Sequence, residues 1–158
     1  MAKHERPGKS DEWYTPPYVF EKLSEQFDLD VASPAVDLVP WIPAYSRYQT
    51  ESLTRYWSGF VWMNPPFGGR NGIVPWLQRF MDHGDGIALT PDRTSCSWWR
   101  TYAPQADAVL FVAPKIKFIP GPGVSVSSPA QGTTLFAKGD RAVAALRRAS
   151  DAGLGWCP

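Results

Sequence analysis

The sequence predicts an α/β fold, a mostly parallel sheet flanked by helices and closed by an antiparallel edge hairpin. Two observations predict it. Short apolar runs at 60–63, 87–90 and 108–112 alternate with stretches whose apolar residues recur at helical spacing, the pattern of strand–helix–strand units. Glycines and prolines, 13 and 16 in 158 residues, mark the boundaries between these stretches, so the connections are turns and rigid loops.

The elements follow in order. Residues 1–12 are polar and mixed in charge and read as a flexible N-terminal arm. Thr15-Pro16-Pro17 then opens a helix over 18–27, in which Val19, Phe20, Leu23 and Phe27 share a face; proline is tolerated where a helix begins. Leu29–Ala32 is a short strand. Residues 33–58 hold Pro34, Pro40 and Pro43 among scattered aromatics with neither periodicity. They form a long ordered loop, and loops of that length usually carry function. Phe60–Met63 is a buried strand running straight into Asn64-Pro65-Pro66-Phe67-Gly68-Gly69. Ile73, Trp76, Leu77, Phe80 and Met81 trace the next helix, with Pro75 in its first turn and Gly84 and Gly86 at its close. Strand Ile87–Thr90, a short helix over 95–102 and the apolar strand Ala108–Val112 follow. Lys115–Ile119 alternates polar and apolar, as a half-exposed strand does. Across a Gly/Pro/Ser stretch it is expected to form the edge hairpin with Thr133–Ala137. A final helix starts near Asp140, with Arg147-Arg148 on a solvated face.

Composition excludes several classes. At 44% hydrophobic and 20% charged, the chain has the balance of a soluble globular protein. Its length fits one domain, expected over 13–158, with no separate target-recognition domain. The longest clean apolar run, Ala108–Ala113, is far short of the ~20 residues that span a bilayer. The first residues lack the apolar stretch of a secretory signal, so the expected location is cytoplasmic. Cys96 and Cys157 have no zinc-like or disulfide spacing, and His4 and His83 lack ligating companions, so no metal site is expected. Charge is uneven. Residues 13–69 hold three Lys/Arg against six Asp/Glu, and residues 70–158 hold ten against six, a split suited to meeting a polyanion with one side.

Asn64-Pro65-Pro66-Phe67 carries the chemistry. Two prolines fix φ in consecutive residues and remove two donors, leaving a rigid corner that presents acceptors. The Asn64 side-chain oxygen and the Pro65 carbonyl can then accept both N–H bonds of an exocyclic amine such as N6 of adenine. That exposes the nitrogen lone pair to an electrophile, and Phe67 can stack on the base, which has to leave the duplex to arrive. Neutral Asn64 suffices, because orientation alone removes about 7–11 kcal/mol of barrier.

With these residues the chain resembles the small phage N6-adenine DNA methyltransferases, the Dam-like group with an Asn-Pro-Pro-Phe motif. The resemblance runs from Asp11 to about Ala137. It is carried by Asp11–Pro17, Phe27–Ala32, Glu51-Ser52-Leu53 with Trp57, Val61–Gly68, Leu89–Thr94, Trp98-Trp99 and Lys115–Phe118. It implies a Rossmann-like S-adenosylmethionine-dependent core, a phage or prophage gene and work on DNA inside a bacterial host. By resemblance, Trp13, Thr15 and Pro16 line the methionine end of the donor. Asp30, Val31 and Ala32 stand at the end of the donor-binding strand, and Glu51, Ser52 and Leu53 near the ribose or adenine. The glycine-rich turn usual after the first strand is replaced by Val31-Ala32-Ser33-Pro34. Glu51-Ser52 stands in place of the Asp/Asn-Gly pair.

Plainer readings stand beside these. Trp13 serves as a hydrophobic staple, Asp30 as a turn cap, and Lys115 and Lys117 as a solvated strand face. Arg70, Arg93, Lys115 and Lys117 are the candidate phosphate contacts. The reading is thus a DNA adenine N6-methyltransferase, as monomer or homodimer. The alternatives are amino methylation of RNA or of a protein glutamine, and an inactive nucleic-acid-binding protein.

Overall fold

A computed structural model of the chain describes residues 13–69, 71–122 and 131–158. The expected arm at 1–12, the candidate contact Arg70 and residues 123–130 lie outside these. Strand β1 (Trp13–Tyr14) leads through Thr15-Pro16 into α1 (Pro17–Leu23). The prolines sit where the helix has spare donors. Ser24, at a left-handed φ of 52°, ends the helix by donating its N–H to the Phe20 carbonyl at 2.9 Å. The helix therefore stops short of Phe27, which opens β2 (Phe27–Asp30). Phe27 shares the helical face in sequence because its ring meets that of Phe20, at 6.4 Å, from the strand.

The span 33–58, expected to be loop throughout, contains β3 (Ala44–Arg47) and a 3-10 turn at Ser52–Thr54. Then come β4 (Val61–Met63), α2 (Val74–His83), β5 (Gly86–Pro91), α3 (Ser97–Tyr102) and β6 (Ala108–Val112). The short β7 (Ile119–Pro120), β8 (Thr133–Lys138), α4 (Asp140–Asp151) and β9 (Gly155–Trp156) complete the order. Entry to β4 depends on Gly59. Its φ is +76°, and a Cβ there would overlap the Asp28 carboxylate, which accepts the Phe60 N–H at 2.8 Å.

Seven strands form one sheet in the order β3-β2-β4-β5-β8-β6-β9. β2 pairs parallel with β3 and β4, and β4 with β5, while β8 runs antiparallel to both β5 and β6, and β9 antiparallel to β6. Five strands thus share a direction, and the sheet is mixed with a mostly parallel centre. The antiparallel component exists, but not as the expected edge hairpin. Thr133–Lys138 is inserted between β5 and β6, and residues 115–118 are not a strand. Their alternation is real, with Ile116 and Phe118 buried, yet Ile119–Pro120 pairs with Trp13–Tyr14 in a separate two-stranded sheet.

Two cores lie on the two faces of the sheet. Val19, Phe20 and Leu23 of α1 and Ala142, Ala145, Leu146 and Ala149 of α4 pack on Trp62, Ile87, Leu89 and Leu135. Leu77, Phe80 and Met81 of α2 and Trp98 and Tyr102 of α3 pack on Val61, Met63, Ala88 and Phe136. The residues of each strand alternate between the faces, as the pleat requires. Arg148, expected on a solvated helix face, donates to the Leu23 carbonyl at 2.7 and 3.1 Å and joins the end of α1 to α4. No described helix is long and apolar enough to cross a membrane. From β2 the chain moves outward to β3, then returns to the other side of β2 to lay down β4 and β5. This reversal leaves a crevice beyond the carboxyl ends of β2 and β4, where open α/β sheets bind ligands.

Candidate active site

Asn64 follows the last residue of β4 and stands at this crevice. Pro65 is buried, Pro66 exposed, and Asn64 and Phe67 half-buried. Phe67 packs against both cores and so anchors the corner from either face of the sheet. The Asn64 carboxamide donates through Nδ2 to Thr15 Oγ1 at 3.2 Å. Thr15 is 2% exposed, and its carbonyl accepts the Trp41 indole N–H at 2.8 Å. No described residue donates to Asn64 Oδ1, so the oxygen end of the amide is the end on offer.

The end of β2 lies alongside. Asp30 pairs with Trp62 in register, and the Val31 N–H donates to the Trp62 carbonyl at 3.0 Å. This brings Asp30, Val31 and Ala32 beside Asn64. Asp30 is 1% exposed, and burial pushes its carboxyl up to about 7. The Ala32 N–H at 3.1 Å, the charge of Arg47 and the Ser33 side chain oppose that shift in part. Asp30 thus caps its own turn, the plainer of the two roles foreseen for it. Tyr48 extends the turn sideways, donating its N–H to the Asp30 carbonyl and accepting that of Ser33, both at 2.9 Å.

Beyond Tyr48 the chain reaches Glu51, exposed and at a left-handed φ of 56°. Its turn is clamped from beneath. Trp57 Nε1 donates to the Ser52 carbonyl and hydroxyl at 2.9 and 3.0 Å. Arg79 of α2 donates to the carbonyls of Leu53 and Arg55 at 2.9 and 2.6 Å.

A family model described as DNA N-6-adenine-methyltransferase (Dam) matches residues 3–138. The chain belongs to this family. No curated protein and no solved structure matches it.

The span matched by the Dam family ends with β8, so every described strand of the sheet except β9 lies inside it, together with the whole crevice. Around this crevice the remaining candidates divide. Trp13 is half-buried and pairs with Pro120, and Pro16 is buried beside Thr15. Lys115 and Lys117 are exposed on the segment leading to β7, which the Lys117 N–H ties to Tyr18 Oη at 3.4 Å. Arg93 is exposed in the loop after β5. Sequence reasoning missed Trp41, Arg79 and Thr133. The first two were lost in an aperiodic loop and on a helix face. Thr133 sits opposite Pro91 at the site end of β5, with a buried Oγ1 that has no hydrogen-bond partner among the described residues. The flanking Thr134 donates to Asp92 at 2.5 Å. Only the register of β8, invisible in sequence, brings these threonines here.

Proposed function

We propose that this chain transfers the methyl group of S-adenosylmethionine to N6 of an adenine swung out of DNA. The observation that carries the reading is the location of Asn64-Pro65-Pro66-Phe67. It stands at the carboxyl end of β4, directly beside the Asp30–Ala32 turn, where the strand order reverses. Family membership suggests the acceptor class, and a strand-order reversal of this kind is where open α/β sheets bind ligands such as a donor.

The residues fit such a donor. Asp30, Val31 and Ala32 form a hydrogen-bonded turn with Ala32 half-open to the crevice. Glu51 offers a carboxylate of the kind that holds ribose hydroxyls in nucleotide sites, and half-buried Leu53 is an apolar neighbour for an adenine ring. Trp13 and Pro16 close the other end. Bound there, the donor supplies an electrophilic sulfonium methyl. The target amine donates its two N–H bonds to Asn64 Oδ1 and the Pro65 carbonyl, which turns its lone pair toward that methyl. Transfer to that nitrogen would break the donor's C–S bond as the N–C bond forms, and the amine would then shed one proton to solvent. Phe67, fixed by both cores, gives the flipped base a face to stack on. Arg70, Arg93, Lys115 and Lys117 hold phosphates of the duplex, and residues 13–158 act as one methyltransferase domain of Rossmann-like type.

The test is methyl transfer from labelled donor to DNA, RNA and a glutamine-containing protein in parallel, followed by nucleoside analysis. Label recovered as N6-methyladenine from DNA is the expected result. Label in RNA or glutamine only would replace the acceptor. DNA binding with no donor binding would replace the enzyme with a binding protein.

A further inference from the structure

We propose that Thr15 is a positioning residue for Asn64, its hydroxyl oxygen holding the carboxamide in the orientation that turns Oδ1 to the target amine. This rests on the methyl-transfer reading above, and it gives Thr15 a task different from lining the donor.

A carboxamide has two chemically opposite ends. Only the oxygen end can accept N–H bonds from an amine. In the orientation that serves the reaction, Nδ2 faces away and needs an acceptor of its own, since a buried polar group left without a partner is costly. Thr15 Oγ1 provides that acceptor at 3.2 Å. The backbone that carries this hydroxyl is held from several directions. The prolines at 16 and 17 stiffen the backbone after it, with the Val19 N–H donating to the Pro16 carbonyl at 3.2 Å. Tyr14, the residue before it, is fixed by pairing with Ile119. The Trp41 indole N–H grips the Thr15 carbonyl at 2.8 Å. Trp41 and Ile119, distant in sequence, thus brace the segment whose Thr15 hydroxyl meets the Asn64 amide. Nothing in this arrangement requires a charged group or a proton transfer, which matches an amine that needs orientation more than a base.

The experiment compares wild type with Thr15→Val, Thr15→Ser and Trp41→Phe, each with and without Asn64→Ala. It reads kcat on DNA, donor affinity by calorimetry and the Asn64 side-chain amide resonances by NMR without substrate. Thr15→Val is expected to lower kcat by about tenfold or more while donor affinity stays within about twofold. Thr15→Ser restores most of the rate. Thr15→Val adds no further loss on top of Asn64→Ala. The Asn64 amide resonances shift in Thr15→Val and hold in Thr15→Ser. Trp41→Phe, which leaves Thr15 intact, gives a smaller loss of the same kind and decides the matter if Thr15→Val does not fold. Equal losses in Thr15→Val and Thr15→Ser would overturn the proposal. So would a drop in donor affinity matching the drop in rate, with the Asn64 resonances unmoved. If wild type transfers no methyl to DNA, the functional reading fails, and the resonances still judge the role of Thr15.

Discussion

Arg79 of α2 holds the Leu53 carbonyl at 2.9 Å while its guanidinium lies 4.8 Å above the Trp57 ring. Trp57 in turn grips Ser52. A helix on one face of the sheet thereby fixes the turn proposed to meet the adenosine end of the donor. Arg79→Ala should therefore weaken donor binding several-fold with a smaller effect on kcat. It should also cost about 1–2 kcal/mol of stability, a fall of ~2–8 °C in Tm for a chain of this size. Calorimetric titration and thermal melts check both. A melt that falls with donor affinity unchanged would detach this turn from the donor.

Asn64→Ala should abolish methyl transfer, with kcat reduced by about 100-fold or more, the scale seen when one oriented hydrogen-bonding group is removed from a reacting centre. Donor affinity should stay within about twofold, because Asn64 is proposed to face the amine and not the donor. Equal losses of rate and donor affinity would place Asn64 against the donor instead.

Asp30 makes stability fall with rising pH. Its folded-state carboxyl titrates at about 7, against 3.8 for an ordinary aspartate. Between those values the folded chain keeps a proton that the unfolded chain has released, so stability declines as pH rises through this window. The decline is on the order of 4 kcal/mol at most, and it is complete above about pH 7. Asp30→Asn keeps the acceptor for the Ala32 N–H and removes the titration. Urea unfolding at about pH 5 and about pH 8 should show a large difference for wild type and a much smaller one for the variant. Parallel pH dependences would mean that Asp30 stays ionised in the fold.

The parallel centre of the sheet was legible because each of its buried strands is a short apolar run followed by a helical face: Val61–Met63 before α2, and Gly86–Pro91 before α3. Asn64 and the Asp30 turn could be set at strand ends for the same reason. What escaped was non-local. β3 is an edge strand paired only with β2, and Ala-Tyr-Ser-Arg carries no apolar alternation to announce it. Phe27 satisfied helical spacing while belonging to a strand. The segment at 115–119 had the correct inside–outside pattern, but pattern does not name a partner, and the partner is Trp13–Tyr14. Thr15 at Asn64, Trp41 at Thr15 and Arg79 at Leu53 are contacts across 49, 26 and 26 residues.

DNA binding should fall steeply with salt and show little sequence preference. The cations proposed to meet DNA, exposed Arg93, Lys115 and Lys117 among them, suit phosphates, and phosphate contacts position a duplex without reading it. Methylating genomic DNA with purified protein and mapping the modified adenines checks this. A strict site of about five or more base pairs would show that loops or a second copy read bases.

β8 enters the sheet late and in the middle. During synthesis the strands that carry the crevice are complete once Pro91 is made, but the free edge of β5 waits for Thr133–Lys138 before anything covers it. All six residues of β5 are buried in the finished protein, so until then the chain shows a sticky apolar ribbon with unpaired backbone groups, the kind of edge that recruits other chains. A ribosome-stalled or truncated product ending before residue 133 would hold the residues of the crevice and still be prone to clump. The crevice strands and the strand that covers their edge are thus written in different stretches of the same sheet, the first between 13 and 91 and the second some forty residues later.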